Sequence, residues 1–240
     1  MQSGTFGARY DDVISDPKMR ALYGDSGYFN VGYWTAATKD LVAACDALVD
    51  QVAAPIASDA RLILDVGCGL GAGTRRLTER FPHARVVGAN VSLWQLRKTR
   101  GRGPRAVATD AARLSVATGS ADAVVALESA LHFDTRDDFF REAFRVLRPG
   151  GVLSMADMLF RDADVIGPWM VPPANRIGDL PAYEERVRAA GFTSIASRDV
   201  TAVTWTPYID AMSRVFADQA VVQAIAHSVS HYLLLTAVRP

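Results

Sequence analysis

Three stretches carry residues whose types and spacing suit chemistry. The first, Ile63-Leu-Asp-Val-Gly-Cys-Gly-Leu-Gly-Ala-Gly-Thr74, delivers an acid, Asp65, followed by Gly67, Gly69 and Gly71 at alternating positions. Glycines there let the chain turn sharply and let a ligand approach the main chain closely. The second, Leu127-Glu-Ser-Ala-Leu-His132, holds a carboxylate and an imidazole, and an imidazole takes a proton from a hydroxyl near neutral pH. The third, Tyr28-Phe-Asn-Val-Gly-Tyr-Trp34, concentrates aromatic rings, whose faces favour a neighbouring cation.

Strands and helices must position these groups. Residues 61–66 are a short apolar run ending in glycines, which predicts a buried strand. Residues 71–81 have helical composition and stop at Pro82, and residues 84–89 predict a second strand. Ser92 is placed to cap a helix over 93–99. Residues 105–109 and 121–127 predict a third and a fourth strand. Phe139, Phe140, Ala143, Phe144 and Leu147 share one face of a helix over 136–147. Arg148-Pro-Gly-Gly151 ends that helix, and 152–156 predicts a fifth strand. Such alternation implies a parallel sheet with helices on both faces. The chain end differs, with strands over 193–200 and 231–238 flanking a helical stretch over about 207–228. Two segments stand outside the alternation. Residues 1–55 are helical and aromatic, and 158–180 are rich in Pro and Gly and read as a lid. The expected organisation is one domain over 1–240. It comprises an N-terminal helical cover (1–55), a cofactor-binding core (56–157) and substrate-lid elements (158–180 and 205–228).

Composition narrows the functional classes. The 240 residues carry 26 basic and 26 acidic side chains, a net charge of zero. That balance argues against binding nucleic acid or an anionic membrane through bulk charge. Cys45 and Cys68 are too few for a disulfide framework or a four-ligand zinc site and fit a reducing compartment. His227 and His231, four apart, lack a third ligand, so no metal is expected. No apolar run approaches the roughly 18 residues of a membrane span, and no signal peptide is evident. A cytoplasmic protein is expected.

The glycine loop alone admits two cofactors. Gly67-x-Gly69-x-x-Ala72 is an allowed form of the dinucleotide fingerprint, and the same loop suits S-adenosylmethionine. Both sites usually place an acid after the second strand, where this chain has Asn90, so that position does not separate them. The later motifs do. Asp110-Ala111 follows the third strand, Glu128-Ser-Ala-Leu-His132 the fourth, and Arg145-Val-Leu-Arg-Pro-Gly-Gly151 closes the next helix. With the glycine loop, they resemble the successive motifs of class I S-adenosylmethionine-dependent methyltransferases. The similarity is to the small-molecule group of ubiquinone/menaquinone-type, tocopherol-type and natural-product sugar O-methyltransferases. It spans 28–157 by motif and reaches the C-terminus by layout. It implies an α/β fold: a Rossmann-like, doubly wound, seven-stranded sheet, mostly parallel with the last strand antiparallel, plus helical N-terminal and lid insertions.

The resemblance also implies roles for single residues. Asp65 would receive the cofactor's amino group, and Gly67, Gly69 and Gly71 would form its loop. Asn90 departs from the usual acid, yet its amide can still meet the ribose diol, with Gln95 sharing the task. Asp110 and Ala111 would contact the adenine edge, Glu128 would lie near the methionine end, and Tyr33 and Trp34 would cover the sulfonium or bond the carboxylate. His132 would be the general base, with Asp157 assisting it or contacting substrate. Tyr28, Phe160, Trp169, Met170, Trp205, Tyr208 and Met212 are candidate walls of an acceptor pocket suited to a hydrophobic small molecule.

The sequence therefore predicts methyl transfer from S-adenosyl-L-methionine, releasing S-adenosyl-L-homocysteine, onto a phenolic, sugar or natural-product hydroxyl. C- or N-methylation is the near alternative. An NAD-dependent oxidoreductase and a non-catalytic cofactor-binding protein are alternatives of another class. The expected partner is a small-molecule acceptor, with no nucleic acid or membrane, and the expected assembly a monomer or homodimer.

Overall fold

The structure, a computed structural model, describes residues 3–99 and 105–240. Three helices come first: α1 (Ser3–Ser15), α2 (Pro17–Tyr23) and α3 (Leu41–Ala53). Strand and helix then alternate through β1 (Leu62–Val66), α4 (Ala72–Arg80), β2 (Arg85–Asn90), α5 (Leu93–Thr99), β3 (Arg105–Ala108) and β4 (Ala121–Leu127). The chain continues through α6 (Arg136–Val146), β5 (Leu147–Phe160), α7 (Leu180–Ala189) and β6 (Thr193–Asp199). It ends with α8 (Trp205–Val215), α9 (Gln219–Ser228) and β7 (Val229–Val238). The seven strands form one sheet in the order β3-β2-β1-β4-β5-β7-β6. The first five are parallel, and β7 runs antiparallel between β5 and β6. This is the doubly wound sheet with an antiparallel last strand that the sequence predicts.

Two apolar layers sandwich the sheet. Leu41, Leu48, Val49 and Val52 of α3, Leu77 of α4, Ile209 of α8 and Val222 of α9 pack on one face. Phe139, Phe140 and Val146 of α6 and Tyr183 and Val187 of α7 pack on the other. Phe139 and Phe140, 0% exposed, contribute about 1.5–3 kcal/mol each by leaving water. The winding reverses between β1 and β4, and the crevice beyond their carboxyl ends is where such sheets bind ligands.

Three elements differ from expectation. β5 runs on to Phe160 because β7 supplies partners from Val152 to its end, as in Met158 with Tyr232 and Phe160 with Val229. The expected lid over 158–180 therefore begins after Phe160. The helical stretch near the C-terminus is two helices. Phe216 turns extended after α8, and the Asp218 carboxylate caps α9 by accepting from the Ala220 and Val221 amides. α7 was not anticipated. It starts at an Asp179 cap with Pro181 in its first turn, a start signal hidden by the Pro/Gly-rich run before it.

Candidate active site

One cavity of about 660 Å³ opens at the carboxyl ends of β1, β2 and β4. Its floor is the turn after β1. Gly67, Gly69 and Gly71 sit at φ of 80°, 55° and 83°, which side chains on Cβ disfavour. A Cβ on Gly67 would lie 2.3 Å from Ser129 Cβ, so the turn and the loop after β4 interlock only with glycine there. Gly71 does not line the cavity; its left-handed backbone caps α4. Asp65 is buried at the end of β1 and accepts from Thr74 Oγ1 at 2.6 Å. Burial raises its carboxyl to about 6, against a lowering by Thr74.

Asn90, Gln95, Asp110, Ala111 and Glu128 complete this wall. Ser92 caps α5 as expected, accepting from the Gln95 amide at 3.2 Å. Asp110 Oδ1 accepts from the Ala112 amide at 2.9 Å. Glu128 adopts φ 51° and is buried; its Oε1 accepts from the Val31 amide at 2.8 Å and the Tyr232 hydroxyl at 2.6 Å. Burial raises it to about 7 despite both bonds. Asp65 and Glu128 have no ion-pair partner among the described residues.

The opposite wall gathers around His132, in a short turn over Ala130–His132. Its Nδ1 lies 2.7 Å from the Met170 carbonyl oxygen. A carbonyl only accepts, so Nδ1 carries the hydrogen and Nε2 keeps a free lone pair. Burial lowers the ring to about 4. Phe6 and Tyr10 of α1 stand 5.2 and 5.1 Å from the imidazole, centroid to centroid, and Trp169 stands 6.3 Å from Phe6. Asn175 pins the turn, its Nδ2 donating to the carbonyls of Leu131 (3.0 Å) and Phe133 (2.6 Å) while Oδ1 accepts from the Arg136 amide (2.8 Å).

Several expected residues lie elsewhere. Asp157 is fully buried behind the cavity, where Arg136 Nε donates to it at 2.9 Å and the Tyr183 hydroxyl at 2.6 Å. It serves the packing of α6 and α7, not the acceptor. Tyr33 and Trp34 are not on the cavity wall. Trp34 Nε1 donates to the Val31 carbonyl, and both rings pack on the α3 side of the core. Phe160, Trp205, Tyr208 and Met212 join that same core, Tyr208 through a 3.1 Å hydroxyl contact with Tyr23. Their apolar character reflects packing, so 205–228 is no wall of the cavity. Met170 acts through its carbonyl. Tyr28 and Trp169 do line the cavity, with the Tyr28 hydroxyl donating to Asp46. The sequence reading missed Phe6, Tyr10 and Asn175. Phe6, Tyr10 and Ile14, spaced by four, were the available sign that one face of α1 meets the cavity.

Comparison with known proteins identifies this arrangement. Residues 64–155 match a family model described as a methyltransferase domain. Over 227 residues the chain is 32% identical to erythromycin 3''-O-methyltransferase of Saccharopolyspora erythraea, covering 84% of this chain and 74% of that protein. The chain belongs to the S-adenosylmethionine-dependent methyltransferases. The methyltransferase is also 31% identical over 199 residues to 27-O-demethylrifamycin SV methyltransferase of Amycolatopsis mediterranei, covering 73% of this chain and 71% of that one. Among solved structures it resembles the 4+2 cyclase SpnF, with TM-score 0.81, 26% identity and coverage of 99% and 97%. Geranyl diphosphate C-methyltransferase of Streptomyces coelicolor, solved with S-adenosyl-L-homocysteine, shares the fold at TM-score 0.80 and 17% identity, covering 100% of this chain and 98% of that one.

The cavity of the methyltransferase fits its cofactor. Gly67 and Gly69 line it without side chains, which lets a ligand approach the main chain of the turn. Asp65 and Glu128, buried without a cation of the protein's own, suit a molecule carrying an ammonium and a sulfonium. Among the described residues no helix is long and apolar enough to cross a membrane.

Proposed function

We propose that this enzyme methylates a hydroxyl on a neutral, largely apolar natural product, with His132 as the general base. The observation carrying this reading is the His132 ring, whose Nδ1–H is spent on the Met170 carbonyl while Nε2 stays free on the cavity wall. A ring held near 4 is neutral at physiological pH. So weak a base does not strip an alcohol in advance; the proton moves to Nε2 as charge develops on the acceptor oxygen. Phe6 and Tyr10 pack against the imidazole and Trp169 against Phe6, an apolar surround that would help to exclude water from the ring. Met170 and Asn175 hold the ring's position through its turn. S-Adenosylmethionine, when bound, supplies an electrophilic methyl group on a sulfonium.

Residues on the other wall would hold that cofactor. Asp65 takes the ammonium, Gly67 and Gly69 open the main chain to it, and Asn90 and Gln95 meet the ribose hydroxyls. Asp110 and Ala111 meet the adenine edge, and Glu128 lies at the methionine end. Residues 1–240 work as one domain, in which 1–55 cover a core that ends with β5. The acceptor's oxygen is favoured because two relatives are named for O-linked chemistry on erythromycin and 27-O-demethylrifamycin SV. A second reading, cyclisation of the acceptor, comes from the likeness to SpnF, a 4+2 cyclase at 26% identity over nearly the whole chain.

A panel of neutral glycosides, phenols and amines, incubated with enzyme and cofactor, separates these readings. O-Methyl products with equimolar S-adenosylhomocysteine support the proposal. N- or C-methyl products, or an acceptor rearranged without S-adenosylhomocysteine, reject it.

A further inference from the structure

The acid usual after the second strand is absent at position 90, yet a carboxylate reaches this corner from α1. Asp11 accepts from Ser92 Oγ at 2.9 Å through both oxygens, and from Gln95 Nε2 at 2.6 Å. Gln95 Oε1 in turn accepts from Asn90 Nδ2 at 2.8 Å, and Asn90 Oδ1 accepts from the Val91 amide at 2.8 Å. Asn90 Nδ2 also points at the Gly69 carbonyl, 3.4 Å away.

This chain of bonds has a direction. A carboxylate only accepts, so Asp11 draws the amino group of Gln95 toward itself. Gln95 then turns its oxygen to Asn90, and Asn90 must answer with its amino group. A flipped Gln95 would set oxygen against the Asp11 carboxylate. A flipped Asn90 would set oxygen against Gln95 Oε1 and the Gly69 carbonyl. With these bonds made, each amide oxygen keeps one lone pair. Asn90 and Gln95 are both buried, and both line the cavity. Two fixed acceptors suit the two hydroxyls of a vicinal diol, the task one Asp or Glu performs when it holds that position.

We propose that Asp11 is a positioning residue for the ribose side of the cofactor site, setting the sense of the Gln95–Asn90 pair so that both oxygens remain acceptors. This rests on the assignment of Asn90 and Gln95 to the ribose. It makes the N-terminal helix, which also brings Phe6 and Tyr10 to His132, part of cofactor recognition.

Calorimetric titration of wild type, Asp11→Asn and Gln95→Ala with S-adenosylhomocysteine and its 2'-deoxyribose analogue tests it. Wild type should prefer the intact ribose about tenfold. Asp11→Asn keeps the size of the side chain but lets the relay reverse. It should bind S-adenosylhomocysteine about tenfold more weakly and the deoxy analogue unchanged. An equal loss for both ligands would make Asp11 only an anchor for α1, and a preserved preference would remove it from recognition; either overturns the proposal. Gln95→Ala separates the premises. If it too keeps the full preference, the ribose assignment fails. If it loses the preference while Asp11→Asn keeps it, only the role of Asp11 fails.

Discussion

The two walls of the cavity are built by different means. The cofactor wall is largely backbone: a glycine turn and the ends of β1, β2 and β4, set by neighbours in sequence and by strand register. The acceptor wall is assembled from side chains far apart in the chain, with Phe6 and Tyr10 meeting His132, and Asn175 holding its turn. The first leaves little freedom in residue type and draws on the N-terminal cover at two points, Asp11 beside Ser92 and Gln95 and the Val31 amide on Glu128. The second tolerates many residue types, provided that distant elements dock. A family built this way keeps one cofactor while its acceptors change.

Substitutions at the two walls should therefore fail differently. Gly67→Ala gives the largest effect, because its Cβ falls 2.3 Å from Ser129 Cβ at a φ of 80°. Stability should fall by about 3 kcal/mol or more in denaturant unfolding, and S-adenosylhomocysteine binding should vanish. Normal affinity in that variant would break the backbone account of the cofactor wall.

A smaller effect follows from Glu128. Its folded-state value of about 7 lies above the ordinary 4.5. Its contribution to folding is thus full below pH 4.5 and lost as pH rises through 7. Pairing with a cation needs the ionised form, so S-adenosylmethionine should bind up to about tenfold tighter at pH 8 than at pH 6. Glu128→Gln should flatten that slope in calorimetric titrations. A slope unchanged by the substitution would assign it to another group. The smallest effect is expected at Trp169→Ala, which should raise the acceptor KM about threefold to tenfold through lost contact and leave cofactor affinity alone. A parallel loss of cofactor affinity would erase the division between the walls.

The same division explains what the sequence could convey. Asp65, Gly67, Gly69, Asp110 and Glu128 were legible because strand ends and turns constrain them locally, and all of them reach the cavity. Tyr33, Trp34, Trp205, Tyr208 and Met212 were misplaced because an aromatic in a core and one in a pocket look alike until the partners are known. Asp157 follows the strand expected over 152–156, but β5 continues past it to Phe160, and Arg136 and Tyr183 claim its carboxylate from 21 and 26 residues away. Asp11 meets Gln95 across 84 residues, and no local pattern announces such a contact.

The most direct test of the central claim compares wild type with His132→Ala, using the acceptor found by the panel. Single-turnover methyl transfer is measured beside calorimetric titration with S-adenosylhomocysteine. If His132 is the base, transfer falls by about 10²-fold or more while cofactor affinity stays within a factor of two. Undiminished transfer, or a collapse of cofactor affinity, would contradict the account and place His132 in the cofactor wall or outside the chemistry.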